Sequence, residues 1–376
     1  MIGTAKRLSF PALDALRGLC FLAVFGCHTF HSVDPAVITD PVYRFVSASV
    51  FGPGALGVNV FFSLSGFLIT FLLIQEERTN GRIDVPRFWL RRILRIWPLY
   101  FTVVVLGFVV VPWIKQQAGV RELETAEPWH YLLFISNLAK ASGYEPASSS
   151  LSVLWSIAVE EQFYLVWPVL LMLAGMRRSP WACIGLIGAS ILFRALNPDI
   201  SMQLWHTFSC MGDLATGALG AYVLASEKGQ ALISRAGPVT SVLWYASTLI
   251  LFFFVGPAQE MFGGMAVYPF IFAVSATGTI LLQCAGGHQR SRLPSRGALP
   301  AIGRISYGLY CLHMLAVLAV LQVMQRVGLG HEVWHVLVIQ SLAALLLSIV
   351  LAALSHRYLE RPFLRLKDRF AYIVRG

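Results

Sequence analysis

Three ionisable side chains share one face of an apolar segment near the start of the chain. In LDALRGLCFLAVFGCH, Leu13 to His28, a helix turning about 100° per residue puts Asp14, Arg17 and His28 on one stripe. A rise of about 1.5 Å per residue sets His28 roughly 16 Å beyond Arg17. An imidazole is the side chain best matched to removing a proton from a hydroxyl near neutral pH. Ionisable groups within apolar helices are costly and mark sites or pathways. The plainer alternative is an Asp14–Arg17 ion pair near an interface, with His28 closing the other end.

A second polar stripe runs through SVLWSIAVEEQFYLVWP, where Ser152, Ser156, Glu160 and Tyr164 recur at every fourth residue. Glu161 sits among Leu154, Ile157, Ala158 and Leu165, so Glu160 is the carboxylate expected to face inward and to orient His28 as a general base. Packing specificity is the alternative for a single Glu between Ser and Tyr. A third stripe, Ser306, Tyr310 and His313 in GRISYGLYCLHML, is weaker, because a lone His among apolar neighbours is most often a satisfied core residue. Asp213 is a similar case. Ser63 and Ser65 beside Gly66 read as small residues at a helix contact. In RFWLRRILRIWPLYF, Arg91, Arg92 and Arg95 fall within one turn between Trp89 and Trp97, a cluster suited to bidentate phosphate recognition. Loops on the positive side of a membrane carry arginines in any case.

The elements that must position these residues are membrane helices. With 57% hydrophobic and 13% charged residues, the chain has about half the charge of a soluble domain. Apolar runs of spanning length occur at about 9–31, 54–75, 96–114, 152–174, 181–196, 204–225, 239–256, 264–284, 303–324 and 334–355. The expected fold is an all-α bundle of about ten transmembrane helices in one domain, 1–376. The net charge of +10 does not indicate nucleic acid, because ten spans place 22 of the 29 Lys and Arg on one side. By the positive-inside rule that side, with both termini, is cytoplasmic. Segment 9–31 is too long for a signal-peptide core and reads as a retained helix. All six cysteines lie within predicted spans without a CxxC, so neither disulfides nor a metal site is expected. The outer segment 115–151 carries a half-apolar piece, Glu127 to Leu138, too short to span and expected to lie at the interface or re-enter.

Taken in order, the motifs resemble those of acyltransferase family 3, the integral-membrane acyltransferases that O-acetylate bacterial glycans or acylate macrolides. The resemblance rests on the Arg-x10-His pair Arg17 and His28, GVNVFFSLSGFLIT, the Arg-x-x-Arg of Arg92 and Arg95, LWSIAVEEQFYLVWP, GRISYGLYCLH and the closing YLERPF. It implies a ten-helix bundle in the bacterial inner membrane that accepts acyl-CoA, most often acetyl-CoA, from the cytoplasm and acylates a hydroxyl at the outer face. It also implies that Arg17 and His28 are essential and that Arg92 and Arg95 serve the donor. The family usually has Asp where Asn59 stands, which puts a carboxylate role there in doubt.

The expected reaction has Arg91, Arg92 and Arg95 holding the CoA phosphates and the pantetheine arm entering past Arg17. His28, oriented by Glu160, removes the acceptor proton, and Tyr164 or Tyr310 stabilises the oxyanion. A covalent acyl-histidine step is the alternative route. The expected acceptor is a cell-surface or secreted glycan or a lipid-linked saccharide; a macrolide is the alternative, and a glycan or lipid transporter is the rival of another class. Membrane lipids are the remaining partner. Acceptor specificity is expected in loops 32–53 and 115–151, with scattered aromatics such as Trp113, Trp129 and Tyr144.

Overall fold

The structure is a computed structural model and describes residues 6–8, 10–117, 124–286, 292–370 and 373–375. Arg121 and Arg290, both part of the charge asymmetry above, lie outside the described residues. The architecture is carried by α1 (Pro11–Thr29), α2 (Leu56–Asn80), α3 (Val85–Val105), α4 (Trp155–Ala174), α5 (Ser179–Leu196), α6 (Thr207–Ala225), α7 (Pro238–Phe253), α8 (Gly264–Ala285), α9 (Ser306–Arg326) and α10 (Ser341–Ser355). Among the described residues nine helices are long and apolar enough to cross a membrane. With the preceding helix Glu227–Ser234, from which it is bent by 95°, α7 makes a tenth. The chain is a multi-pass, all-α membrane protein. Its two short strands, Lys6–Leu8 and Ile373–Arg375, pair in parallel and bring the chain ends together.

Local sequence explains where the elements stop. Pro11 opens α1 at a position whose N–H would be unpaired in any case. Asp84 caps α3 by accepting from the Arg87 amide at 3.1 Å. Gly81 ends α2 with φ of 73°, a left-handed conformation that is cheap only without a Cβ.

Close packing of α2 on α6 sets the centre of the bundle. A Cβ at Gly66 would strike the Leu214 carbonyl, and one at Gly217 would strike the Ser63 carbonyl. Apolar helices in lipid gain little from hydrophobic association, so this backbone-to-backbone approach supplies the contact instead. The short helix Ala298–Arg304 crosses α1 in the same way, with Gly303 against the Asp14 carbonyl.

Several bounds differ from expectation, most of all the third span, expected at 96–114, whose helix begins at Val85 and so carries Arg91, Arg92 and Arg95 itself. The ninth span begins at Ser306 rather than 303, because the helix breaks at Ile305 (φ −101°, ψ 13°). The fourth helix begins at Trp155, leaving Ser152 in the preceding turn Ser149–Ser152. The piece Glu127 to Leu138 forms parts of two short helices, Pro128–Leu132 and Ser136–Ala141, with Phe134 at φ 55° between them.

Candidate active site

A cavity with about 1580 Å³ of empty space opens between α1, α2, α3, α4 and α9. Arg17, Arg92, Arg95, Ser156, Glu160 and Tyr164 line it, with Tyr310 from α9. Glu76, Arg91, Lys367 and Asp368 complete its arginine-rich end. Phe88, Arg92, Arg95, Ile96 and Leu99 share one face of α3: Phe88, Arg92, Arg95 and Ile96 all line the cavity, and Leu99 is buried one turn further along.

Inside it, Glu160 is held by two hydroxyls. Ser65 Oγ donates to Oε1 at 2.7 Å, and Tyr164 OH, one turn along α4, donates to Oε2 at 2.7 Å. Ser65 is therefore more than the small contact residue its neighbours Ser63 and Gly66 suggest. Glu161 points elsewhere and accepts from Trp97 Nε1 at 2.9 Å.

The three clustered arginines are not equivalent. Arg91 is already engaged, with one guanidinium nitrogen 2.6 Å from Glu76 and the other donating to the Phe370 carbonyl at 3.1 Å. Arg92 lies over the rings of Phe88 and Tyr164, 5.5 Å from each centroid, and its buried Nε has no hydrogen-bond partner. Arg17 is alike in that respect. Among the described residues Arg17, Arg92 and Arg95 make no salt bridge of 4 Å or less. Asp14 and Glu160 lie near enough to Arg17 for their charges to be felt there. Aligned cations with unfilled donors suit an anionic group of phosphate type.

His28 does not meet Glu160. Its partner is His313, the residue of the weakest stripe, whose Nε2 lies 3.0 Å from His28 Nδ1. His313 is fully buried, and its Nδ1 is 2.8 Å from the Tyr310 carbonyl. A carbonyl only accepts, so His313 Nδ1 carries the proton and its Nε2 must accept. His28 Nδ1 therefore donates, and His28 Nε2 is left with a free lone pair. That is the tautomer a general base needs, and two neutral rings and one carbonyl set it. Spacing along α4 and α1 gives no information on which helix stands opposite His28, which is why the pairing with Glu160 looks plausible from sequence.

Neither histidine lines the cavity. Tyr310 stands between, with its hydroxyl donating to the Val153 carbonyl at 3.1 Å and 2.6 Å from Ser156 Oγ. Both tyrosine hydroxyls expected to serve an oxyanion are thus already donating, Tyr164 to Glu160 and Tyr310 to Val153.

Comparison with known proteins decides the family. A family model described as an acyltransferase domain, the model of acyltransferase family 3, matches residues 10–355. The chain belongs to acyltransferase family 3. Curated relatives include O-acetyltransferase OatA of Staphylococcus aureus, 27% identical over 94% of this chain and 57% of the relative. The putative peptidoglycan O-acetyltransferase YrhL of Bacillus subtilis is 25% identical over 96% and 55%. Peptidoglycan O-acetyltransferase OatA of Listeria monocytogenes is 24% identical over 95% and 56%. The chain spans a little over half the length of these relatives. No solved structure matches it.

In this member of the family the Asn59 departure has a local explanation. Asn59 Nδ2 donates to Asp213 Oδ2 at 2.7 Å, and Asp213 is fully buried with the charge of Arg194 nearby. An ionised carboxylate at 59 would face another carboxylate, whereas the amide supplies a donor. No motif in the sequence marks Lys140 as a site residue; the structure brings it, with His31, close enough to act electrostatically on His28.

Proposed function

We propose that the chain is a membrane O-acetyltransferase that moves an acetyl group from cytoplasmic acetyl-CoA to a hydroxyl of a cell-surface glycan. The whole chain acts as one catalytic unit in a bacterial inner membrane, with the arginine-rich end and both termini cytoplasmic. The carrying observation is the proton-ordered sequence Tyr310 carbonyl, His313, His28, which leaves His28 Nε2 an acceptor on the far side of Tyr310 from a cation-lined cavity.

Arg92 and Arg95 bind the CoA phosphates, and Arg17 lies along the path of the pantetheine arm. Glu160, fixed by Ser65 and Tyr164, balances Arg17 and Arg92 rather than serving His28. The thioester reaches the histidines when the Ser156–Tyr310 contact opens. The acceptor oxygen attacks the thioester carbon while its proton passes to His28 Nε2. The carbon–sulfur bond then breaks, and the thiolate leaves and takes up that proton as CoA–SH. His313, which touches neither substrate, is a positioning residue.

Family membership supports the acyl chemistry, and the relatives named as peptidoglycan O-acetyltransferases support a glycan acceptor. Purified protein in liposomes with labelled acetyl-CoA and a glycan acceptor tests the reading. Acceptor-dependent release of CoA with label on the glycan is expected. Movement of intact glycan without CoA release would make it a transporter.

A further inference from the structure

A second cavity, with about 910 Å³ of empty space, lies within the segment from Thr125 to Trp155. It is walled by Trp129, His130, Lys140, Tyr144 and Trp155, with Glu127 at its edge. Trp129 is 50% exposed, its ring tilted against that of His130 with 3.9 Å between centroids, and Tyr144 is 68% exposed, so neither aromatic is packed in the core. A loop of this kind is normally loose, yet this one is tied. Glu124 Oε1 accepts from the amides of Thr125, Ala126 and Ala147 at 3.0, 3.1 and 2.8 Å, and Oε2 accepts from the Ser148 amide at 2.9 Å. Thr125 Oγ1 donates to the Glu145 carbonyl at 2.8 Å, and Lys140 Nζ lies 2.5 Å from Glu145 Oε1. One carboxylate thus joins both strands of the loop and holds the cavity open before any ligand arrives.

Its position relates it to the chemistry. Trp155 and Ser152 line this cavity, while Ser156, the next residue, lines the arginine-rich one. The Trp155 ring stands edge-on to Phe62, 6.0 Å between centroids, and Phe62 also lines the first cavity. The first turn of α4 is therefore a partition between the two spaces.

We infer that this cavity is the acceptor site and that it takes a pyranose ring of a saccharide chain. A pyranose has a C–H face that lies against an indole or phenol ring and a rim of hydroxyls for charged and imidazole groups, the combination that Trp129, Tyr144, Lys140, His130 and Glu127 offer. Donor and acceptor then approach the partition from opposite sides. This inference rests on the acetyltransferase reading but is tested apart from it.

The probe is the soluble β-1,4-linked pentamer of N-acetylglucosamine, titrated by saturation-transfer NMR into protein in nanodiscs. Wild-type protein is expected to bind it, and Trp129→Ala with Tyr144→Ala to weaken binding by about tenfold or more, as loss of aromatic anchors does. Coenzyme A binding, unchanged in that variant, reports an intact fold. His28→Ala should bind the pentamer as wild type does. Absence of acetyl transfer by the wild-type protein, with Trp129-dependent pentamer binding retained, would defeat the catalytic reading and leave this site standing. The site is overturned if wild-type protein does not bind the pentamer, if the double variant binds it equally, or if Trp129 fluorescence is quenched by brominated lipid and not by the pentamer.

Discussion

His313 Nε2 lies 3.0 Å from His28 Nδ1, and the opposite nitrogen of His313 is spent on the Tyr310 carbonyl at 2.8 Å. Two helices far apart in sequence, α1 and α9, thereby fix which nitrogen of His28 can take a proton. Replacing His313 should separate orientation from binding. His313→Leu is expected to lower kcat by ~10²-fold, within the range of general-base effects, with the KM for acetyl-CoA little changed. His313→Gln can still present an acceptor to His28 Nδ1 and should recover much of that loss. Steady-state kinetics of the two variants across pH check this, since a merely structural role predicts no advantage for Gln over Leu.

The donor end makes a different expectation. Arg92 and Arg95 make no salt bridge in the described structure, whereas Arg91 is committed to Glu76. Charge-assisted hydrogen bonds contribute about 1.5–3 kcal/mol, so Arg92→Ala or Arg95→Ala should raise the Kd of coenzyme A by about 10- to 150-fold. Dephospho-coenzyme A should lose less on mutation. Calorimetric titration measures both ligands on each variant.

Ser156 and Tyr310 both line the arginine-rich cavity with their hydroxyls 2.6 Å apart, and the proposed route to the histidines needs that contact to open. Tyr310→Phe removes the hydroxyl with its bonds to Ser156 and to the Val153 carbonyl; the Ser156 contact alone, at about 1 kcal/mol, is enough to shift an open–closed balance about fivefold. Acceptor-independent hydrolysis of acetyl-CoA should rise by that factor relative to transfer. Counting CoA release against acetylated glycan gives the ratio.

Asn59 and Asp213 supply a test of the bundle itself. Asn59→Asp puts a second carboxylate against the first, and one uncompensated buried charge costs about 3–5 kcal/mol. The apparent Tm in detergent should fall. The exchange Asn59→Asp with Asp213→Asn restores one donor and one acceptor and should return most of it.

The helical stripes were legible because a helix in lipid buries polar groups only for a reason, and their period can be counted. Arg17, Glu160, Tyr164 and Tyr310 line one cavity, whereas Asp14, His28, Ser152 and His313, on the same stripes, do not. What spacing cannot show is which stripes meet. His313 reads as a core residue until α9 is seen against α1, and Glu160 reads as the partner of His28 until Ser65 is seen to hold it. The outer loop was opaque for another reason. Thr125 to Trp155 has no strong period, and its cavity depends on Glu124 binding backbone amides more than twenty positions away.

The most direct test of the central claim is a transfer assay on His28→Ala reconstituted in liposomes, with labelled acetyl-CoA supplied on the arginine-rich side and glycan on the other. Loss of at least ~10²-fold in label transfer, with coenzyme A and pentamer binding retained, is the outcome expected of a missing general base. Near-normal transfer by His28→Ala would contradict it.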